Sequence, residues 1–279
     1  MKYLITADDL IKLKQAKADV VIFDCRFALG DPNYARVAYL KEHIQGAYFI
    51  DLETDLSGPK LAHGGNHPFK DPSELKELLQ SFGASDESLI VIYDHGDFNA
   101  PARMLTQLLH LGLKKVYVLA GGIDAWKAAG GATEAGEPPA KPEPGQLAIL
   151  VNNDMLVTMQ DVKHKLYDPK IIIIDSRSNS RYQGIEEPLY PAAGHIPSAK
   201  SYYYGDTLQG AFFKNTAFLH EHFKALHDAE EVIVSCGSGV SACVNSLALR
   251  QIGIPHKIYV GSYSDWLSYP ENEVKQGEE

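Results

Sequence analysis

The sequence predicts an α/β fold that is built as two tandem domains, each a mainly parallel sheet covered by helices on both faces. Two observations lead to this prediction. Short apolar, β-branched runs alternate with helical patterns along the chain, and the same series of segments occurs twice. Runs without polar alternation are typical of strands buried on both faces. Strands that alternate with helices indicate a parallel sheet.

The first half of the chain contains three predicted strands, which are VVIFD from residue 20, LIVIY from residue 89 and KVYVL from residue 115. A helix is predicted over 71–83, because Asp71-Pro72 is a start signal and Gly83 is a stop signal. A second helix is predicted over 100–112, after the strand LIVIY.

The second half repeats this order with the runs IIIID from residue 171, EVIVS from residue 231 and KIYV from residue 257. Four single residues also match in order, which are Asp24 with Asp175, His43 with His195, Asp94 with Cys236, and Trp126 with Trp266. Ordered matches of this kind indicate an internal duplication of one domain.

A segment rich in proline and glycine, GGATEAGEPPAKPEPGQ at 130–146, separates the two copies. It has four prolines, four glycines and no hydrophobic periodicity, so it is predicted to be an extended linker. We therefore predict a first domain at 1–129, a linker at 130–147 and a second domain at 148–279.

Composition limits the classes of partner. The 279 residues carry a formal net charge of −10, which disfavours non-specific binding to nucleic acid or to an anionic membrane. An anionic small substrate is compatible with this charge only where local positive groups offset it. Three cysteines are too few for a disulfide framework, and no run has the length of a signal peptide or a membrane span. These features predict a protein of the reduced cytoplasm. No metal site or cofactor is predicted, because the histidines are scattered and Gly121-Gly122 lacks the G-x-G-x-x-G spacing of a nucleotide site.

Cys236 follows the apolar run 232–234, with Ser235 between them, and precedes a helix that is predicted to begin near Val240. In open α/β sheets, ligands bind at the carboxyl ends of the strands. Free N–H groups at the start of the helix would point at the sulfur, and the small residues 237–239 would let the backbone curl around it. We therefore predict an exposed sulfur that is stabilised as a thiolate. Cys25 and Cys243 lack this setting and are predicted to serve packing.

Several chemistries of a reactive cysteine do not fit the surrounding residues. A tyrosine-type phosphatase would have an arginine where Ala242 stands, and a dithiol oxidoreductase would have a second cysteine at Gly239. A cysteine protease requires a histidine base for acyl transfer, whereas a ring of backbone amides better suits an anionic sulfur. Sulfur transfer remains, in which the thiolate takes up a sulfur atom as a persulfide whose terminal charge the amides stabilise.

The chain resembles two-domain sulfurtransferases of the rhodanese superfamily, the group that contains thiosulfate and 3-mercaptopyruvate sulfurtransferases. Four segments carry the resemblance, which are CGSGVSA at 236–242, DSR at 175–177, GHIP at 194–197 and GSYSDW at 261–266. The resemblance implies a catalytic second domain, an inactive first domain and an active site in the cleft between them. Asp94 stands where the cysteine would be in the first copy, and we expect that the following HGDFNAP does not form the same cradle.

The residues after the cysteine indicate which sulfur donor the protein uses. The resemblance associates bulky basic residues at this point with thiosulfate enzymes and Gly-Ser-Gly with mercaptopyruvate enzymes, and this chain has 237–239 as Gly-Ser-Gly. It further implies that Ser238 acts with His67 and a carboxylate from the first half. Glu53 is the preferred carboxylate and Asp55 the alternative. This group would relay a proton to the donor carbonyl as the C–S bond breaks and leave enolpyruvate.

The resemblance places one substrate-binding arginine at Arg181 and a second at the position of Tyr190, so half of the expected positive charge is missing. Either Arg177 or a nearby lysine compensates, or the donor is not mercaptopyruvate. The other predicted substrate contacts come from the cysteine loop, namely Gly237, Gly239, Val240 and Ser241.

Other residues that occur at matching positions in both copies are predicted to be structural. Arg26 and Arg177 each follow a strand-end aspartate, and His43 and His195 each precede a turn. The two tryptophans are expected in the cores.

The leading functional hypothesis is an enzyme that moves sulfur from 3-mercaptopyruvate or a related small anionic donor to cyanide, a thiol or a thioredoxin-like acceptor, through a Cys236 persulfide. One alternative is a thiosulfate sulfurtransferase. An alternative of another class is a non-enzymatic persulfide carrier or redox sensor.

Overall fold

The structure is a computed structural model that describes residues 3–137, 140 and 142–278. The chain divides into two units. The first comprises the described residues of Met1–Gly58, Phe69–Asn152 and Gly210–Phe212, and the second comprises those of Pro59–Pro68, Asn153–Gln209 and Phe213–Glu279. Part of the predicted linker, Thr133–Glu134, forms a strand in the first unit. Residues 138, 139 and 141 of that linker lie outside the described residues. The domain limits drawn from the sequence stay predictions.

The helices and strands of the first unit alternate along the chain. The strands are β1 Leu4–Ile5, β2 Val20–Asp24, β3 His43–Ile44, β4 Tyr48–Phe49, β5 Leu89–Tyr93, β6 Val116–Leu119 and β7 Thr133–Glu134. The helices are α1 Ala7–Gln15, α2 Tyr34–Lys41, α3 Pro72–Ser81, α4 Asn99–His110 and α5 Gly122–Ala128. Five strands form a parallel sheet in the order β1-β6-β5-β2-β4, while β3 pairs with β7 antiparallel.

Local signals in the sequence account for the helix at 71–83. Asp71 caps α3 by accepting hydrogen bonds from the N–H groups of Ser73 at 2.8 Å and Glu74 at 3.3 Å, and Pro72 occupies the first helical position. Gly83 follows the helix with a φ of 80°, a conformation that glycine adopts without strain. The predicted start and stop of this helix are confirmed.

The second unit has the same plan with fewer strands. Its helices are α6 Met159–His164, α7 Asn179–Tyr182, α8 Thr216–His222, α9 Ser241–Ile252 and α10 Ser262–Trp266. Its strands are β8 Ile171–Asp175, β9 Lys200–Ser201, β12 Glu231–Ser235 and β13 Lys257–Ile258. Two further short strands follow β9 in the chain, β10 Leu208–Gln209 and β11 Phe212–Phe213, and Phe212 is assigned to the first unit. The sheet is parallel in the order β13-β12-β8-β9.

Helices pack on both faces of this sheet because successive side chains of a strand point in opposite directions. Val232 and Val234 of β12 lie in one apolar cluster with Leu219 of α8 and Leu249 of α9. Ile233, between them, lies in the opposite cluster with residues of α6 and α10. The absence of polar alternation in EVIVS therefore has the predicted cause, and the predicted α/β fold is confirmed.

The repeated arginines and histidines are structural in both units. Arg26 donates to Asp24 at 2.6 Å, and Arg177 makes the matching bond to Asp175 at the same distance. His43 stacks on Tyr39 at 3.9 Å between ring centroids. His195 stacks on Tyr182 with the same spacing. Each histidine also bonds the carbonyl of the tyrosine on which it stacks. The structural interpretation of these four residues is confirmed.

The tryptophans and two of the cysteines also have the predicted packing roles. Trp126 and Trp266 are 2% and 1% exposed. Cys25 is buried with its sulfur 3.6 Å from that of Met104. Cys243 is buried on α9, where its thiol donates to the carbonyl of Gly239 at 3.3 Å.

Candidate active site

Cys236 is the first residue after the carboxyl end of β12, and this end lies beside the carboxyl end of β8. The two strands pair in register from Glu231 with Ile171 to Ser235 with Asp175. Because parallel strands end at one edge of the sheet, the cysteine loop begins beside the buried Asp175–Arg177 pair. The strand, the loop and α9, which begins at Ser241, follow one another as the sequence predicts.

The loop after Cys236 forms a cradle around the sulfur. The backbone N–H of Gly239 donates to the Cys236 sulfur at 3.1 Å, and the Ser262 hydroxyl lies 3.9 Å from the same atom. Gly239 has a φ of +75°, and a Cβ there would lie 2.3 Å from the carbonyl oxygen of Val260. A glycine is therefore required at this position for both backbone conformation and space.

The expected exposure of the sulfur is wrong, because Cys236 is only 1% exposed. The small residues that follow it do leave space, but side chains from elsewhere in the second unit occupy that space. A Cβ at Gly237 would lie 2.6 Å from the hydroxyl of Tyr190. The sequence shows the size of the neighbours along the chain, whereas Tyr190 and Ser262 approach from other loops.

Ser238 and His67 are brought together. The Ser238 hydroxyl and His67 Nδ1 lie 2.7 Å apart, and both side chains are half-buried. His67 belongs to the segment 59–68, which the contacts place in the second unit although it lies within the first half of the sequence. The serine and histidine that the resemblance pairs are therefore hydrogen-bonded.

The segment that carries His67 is attached to the start of α10. The N–H of Gly64 donates to Asp265 at 2.7 Å, and the N–H of Asn66 donates to Ser264 at 3.0 Å. Gly65 has a φ of +84°, and a Cβ there would lie 2.5 Å from the carbonyl oxygen of Gly261. The GGN sequence thus permits a close backbone approach, and this approach places the histidine.

Both candidate carboxylates belong to the first unit. Glu53 is exposed, and its backbone N–H donates to Asp51 at 2.8 Å. Asp55 is half-buried and accepts from the N–H of Asp51 at 2.9 Å. The role of either residue beside His67 stays a prediction.

Arg181 is engaged by the carboxylate of Glu187, a residue that no sequence motif indicates. Its Nη2 and Nε lie 2.7 and 3.1 Å from the two oxygens of Glu187. Arg177 donates to the same carboxylate at 3.1 Å, so two guanidinium groups converge on Glu187. The side chain of Glu187 is 2% exposed. Arg177 is fully occupied by Asp175, Glu187 and the carbonyl of Gly194, which excludes the suggestion that it replaces the missing arginine as a substrate ligand.

Tyr190 lies between Arg181 and the cysteine loop. The Arg181 guanidinium is 5.4 Å from the centre of the Tyr190 ring. Burial raises the pKa of Tyr190, and the charge of Cys236 raises it further, whereas a hydrogen bond with Ser238 and the charge of Arg181 lower it. The residue at the expected second arginine position is therefore a phenol in contact with the reactive loop.

A cavity of ≈ 280 Å³ extends from Tyr190 along the second unit. Its lining includes Asn66, Leu189 and Ser264, and Lys60 is one cation at its edge. Tyr190 is the lining residue that also contacts the cysteine loop, at Gly237.

The first unit has a carboxylate in the equivalent position. Asp94 follows β5 as Cys236 follows β12, and it is 1% exposed. It accepts hydrogen bonds from the N–H groups of Gly96 at 2.6 Å and Phe98 at 2.7 Å. The expectation that HGDFNAP forms no such cradle is therefore wrong. The backbone does curl around the residue, and the side-chain oxygens of Asp94 accept hydrogen bonds from the amides that would face a sulfur.

Two features of this site had different signals in the sequence. Ser262 lies in the GSYSDW segment, which carries the resemblance, so its position beside the cysteine had a signal. Glu187 had none, because a glutamate in a polar loop is ordinarily solvated. Only its folded contacts reveal the buried carboxylate.

Among the described residues, no group of three or more histidine, cysteine, aspartate or glutamate side chains is placed to hold a metal ion. Within the same residues, no helix has both the length and the apolar character required to cross a membrane.

Both halves of the chain match one family of known proteins. The family model described as Rhodanese-like domain matches residues 6–129 and again 158–269. A probable 3-mercaptopyruvate sulfurtransferase of Pseudomonas aeruginosa is 38% identical over 283 residues, which cover 99% of this chain and 98% of that protein. The thiosulfate sulfurtransferase of Cricetulus griseus is 31% identical, with 92% of this chain and 88% of that protein covered.

Solved structures give the same result. The crystal structure of SseA from Escherichia coli, described with the rhodanese fold, superposes with a TM-score of 0.81 at 28% identity. The match covers 95% of this chain and 100% of that chain.

Proposed function

The chain belongs to the rhodanese-like domain family, and on that premise we propose that this sulfurtransferase takes sulfur from 3-mercaptopyruvate and carries it as a persulfide on Cys236. The observation that carries the choice of donor is the 2.7 Å contact between Ser238 and His67. A donor whose C–S bond breaks toward a carbonyl requires a proton at the oxygen, whereas thiosulfate requires none.

In the first step, the Cys236 thiolate attacks the sulfur of the donor and an S–S bond forms. The C–S bond breaks, and its electron pair moves toward the neighbouring carbonyl. Ser238 gives its proton to the carbonyl oxygen and takes one from His67, so that enolpyruvate leaves. The carbonyl of free pyruvate then forms by tautomerisation.

The transferred sulfur brings the proton of the donor thiol with it and releases this proton to solvent, so the persulfide that remains is anionic at its terminal sulfur. The N–H of Gly239, 3.1 Å from the cysteine sulfur, and the start of α9 stabilise negative charge in this loop. In the second step, a cyanide or thiolate acceptor attacks the terminal sulfur, the S–S bond breaks, and its electron pair returns to Cys236 as a thiolate.

Donor recognition in this proposal uses Tyr190, the backbone of Gly237, Gly239 and Val240, and the hydroxyl of Ser241. Arg181 is already paired with Glu187, so it has little attraction left for an anionic donor.

The test is a steady-state assay of the reduced protein with 3-mercaptopyruvate and with thiosulfate at one concentration of acceptor. Cys236→Ser is the blank, and Cys25→Ala is the control for loss of a thiol outside the site. We expect a higher kcat/KM with 3-mercaptopyruvate and no turnover by Cys236→Ser. A preference for thiosulfate would refute the choice of donor, and activity in Cys236→Ser would refute the persulfide site.

A further inference from the structure

The residues around Arg181 form a group with no net charge. Arg177 and Arg181 contribute two positive charges, and Asp175 and Glu187 contribute two negative charges. Their side chains are largely excluded from solvent, with Asp175 and Glu187 each 2% exposed. Charges that are paired and hydrogen-bonded in this way have little attraction left for a further anion.

Glu187 contacts Arg181 in the manner of a bound carboxylate substrate. Two nitrogens of the guanidinium face two oxygens, at 2.7 and 3.1 Å, which is the geometry in which arginine recognises an external carboxylate. The carboxylate also accepts the backbone N–H of Leu189 at 3.0 Å, so the loop itself holds the glutamate in place.

We propose that Glu187 is a specificity-determining residue, because its buried carboxylate occupies the Arg181 guanidinium and thereby disfavours doubly charged donors. The inference rests on the proposed function, since it concerns the donor of the same site. Tyr190 lies between the neutralised arginine and the cysteine loop, so the donor meets a phenol at this point rather than the charge of Arg181. The formal net charge of −10 further disfavours a dianion.

The matched control is the adjacent residue. Glu186 is exposed and accepts a hydrogen bond from Ser180, so Glu186→Gln removes the same charge from the same loop without releasing Arg181. Glu187→Asp keeps the charge and tests whether shape alone matters.

The experiment measures thiosulfate binding by calorimetry in the Cys236→Ser background, where no sulfur transfer takes place. We expect Glu187→Gln to tighten binding roughly tenfold, Glu186→Gln and Glu187→Asp to change it less than about twofold, and Arg181→Gln added to Glu187→Gln to remove the gain. The gain should also shrink as the ionic strength rises, because it is electrostatic.

Unchanged or weaker binding in Glu187→Gln would overturn the proposal, as would a gain that persists without Arg181. If Glu187→Gln does not fold, as judged by thermal melting, the variant that carries both Arg181→Gln and Glu187→Gln decides, because it leaves the group without net charge. Since the charges of Arg181 and Glu187 cancel, the loss of both should change thiosulfate binding less than about twofold, and a large loss would overturn the proposal. Because these readouts need no turnover, they are independent of whether the proposed donor is correct.

Discussion

His67 Nδ1 lies 2.7 Å from the hydroxyl of Ser238, although 171 positions separate the two residues along the chain. The contact exists because Gly64 and Asn66 attach the histidine segment to Asp265 and Ser264 beside the cysteine loop. A hydroxyl with an imidazole nitrogen at this distance is arranged for proton transfer.

Ser238→Ala is expected to lower kcat with 3-mercaptopyruvate on the order of 10²-fold, because the proton relay is lost. Turnover with thiosulfate should change little, since no carbonyl is protonated. His67→Gln should give the same loss, and the double variant should lose little more, because the two residues act as a unit. Steady-state kinetics with both donors provides the measurement. Equal losses with the two donors would show that Ser238 is not a proton relay.

Tyr190→Arg is expected to lower KM for thiosulfate by about tenfold, or about 1.4 kcal/mol. Glu187 already contacts two guanidinium groups, so a third would remain available to an anion beside the cysteine loop. Tyr190→Gln is the neutral control, which removes the ring without adding charge. The same change in both variants would mean that loss of the ring, and not the new charge, alters KM.

Gly239→Ala is expected to abolish turnover and to lower stability, because a Cβ would lie 2.3 Å from the Val260 carbonyl oxygen. Gly253→Ala is the matched control. Its φ of +76° is nearly the same, but a Cβ there would meet nothing within 4 Å. This control should lose about 1 kcal/mol of stability and keep its activity. Thermal unfolding and turnover measured on both variants test this, and an active Gly239→Ala would contradict it.

Asp94→Asn is expected to flatten the pH dependence of stability. Burial, and then the charge of Asp97, raises the pKa of Asp94 from 3.8 to about 8. Between these values the native carboxyl keeps a proton that the unfolded chain has released, so the free energy of unfolding falls as pH rises, by up to about 1.4 kcal/mol per unit. An asparagine does not titrate, so the contribution of Asp94 to this slope should be lost.

Denaturant unfolding of the wild type and Asp94→Asn across this pH range measures the effect. Asp8→Asn, which changes an exposed aspartate of α1, is the control for loss of a surface carboxylate. The same slope in the wild type and Asp94→Asn would show that the buried carboxyl does not dominate the pH response.

The sequence was sufficient for features that depend on local pattern. The strand EVIVS, the cap at Asp71 and the start of α9 follow from burial, capping and glycine chemistry, which act within a few residues. The internal repeat extended this to the structural role of Arg177 and His195, because a residue present in both copies is bound in the same way in each.

Features that depend on contacts between distant loops were not predictable in this way. The burial of Cys236 results from residues near 190 and 262, which no local pattern connects to position 236. Glu187 pairs with Arg181 because the loop folds back and brings the two side chains together. Asp94 is surrounded by amides although its loop contains Phe98 in a left-handed conformation with a φ of 65°. Propensity alone disfavours that conformation for phenylalanine, and tertiary contacts prevail.

The His67 segment lies in the first half of the chain but packs in the second unit. A cut in the proline-rich region after residue 129 separates the cysteine from the histidine that contacts its neighbour Ser238, since His67 remains on the other fragment. The second copy is thus not self-sufficient as a module. An exchange of whole halves between two relatives would therefore join Ser238 to a histidine segment of different origin.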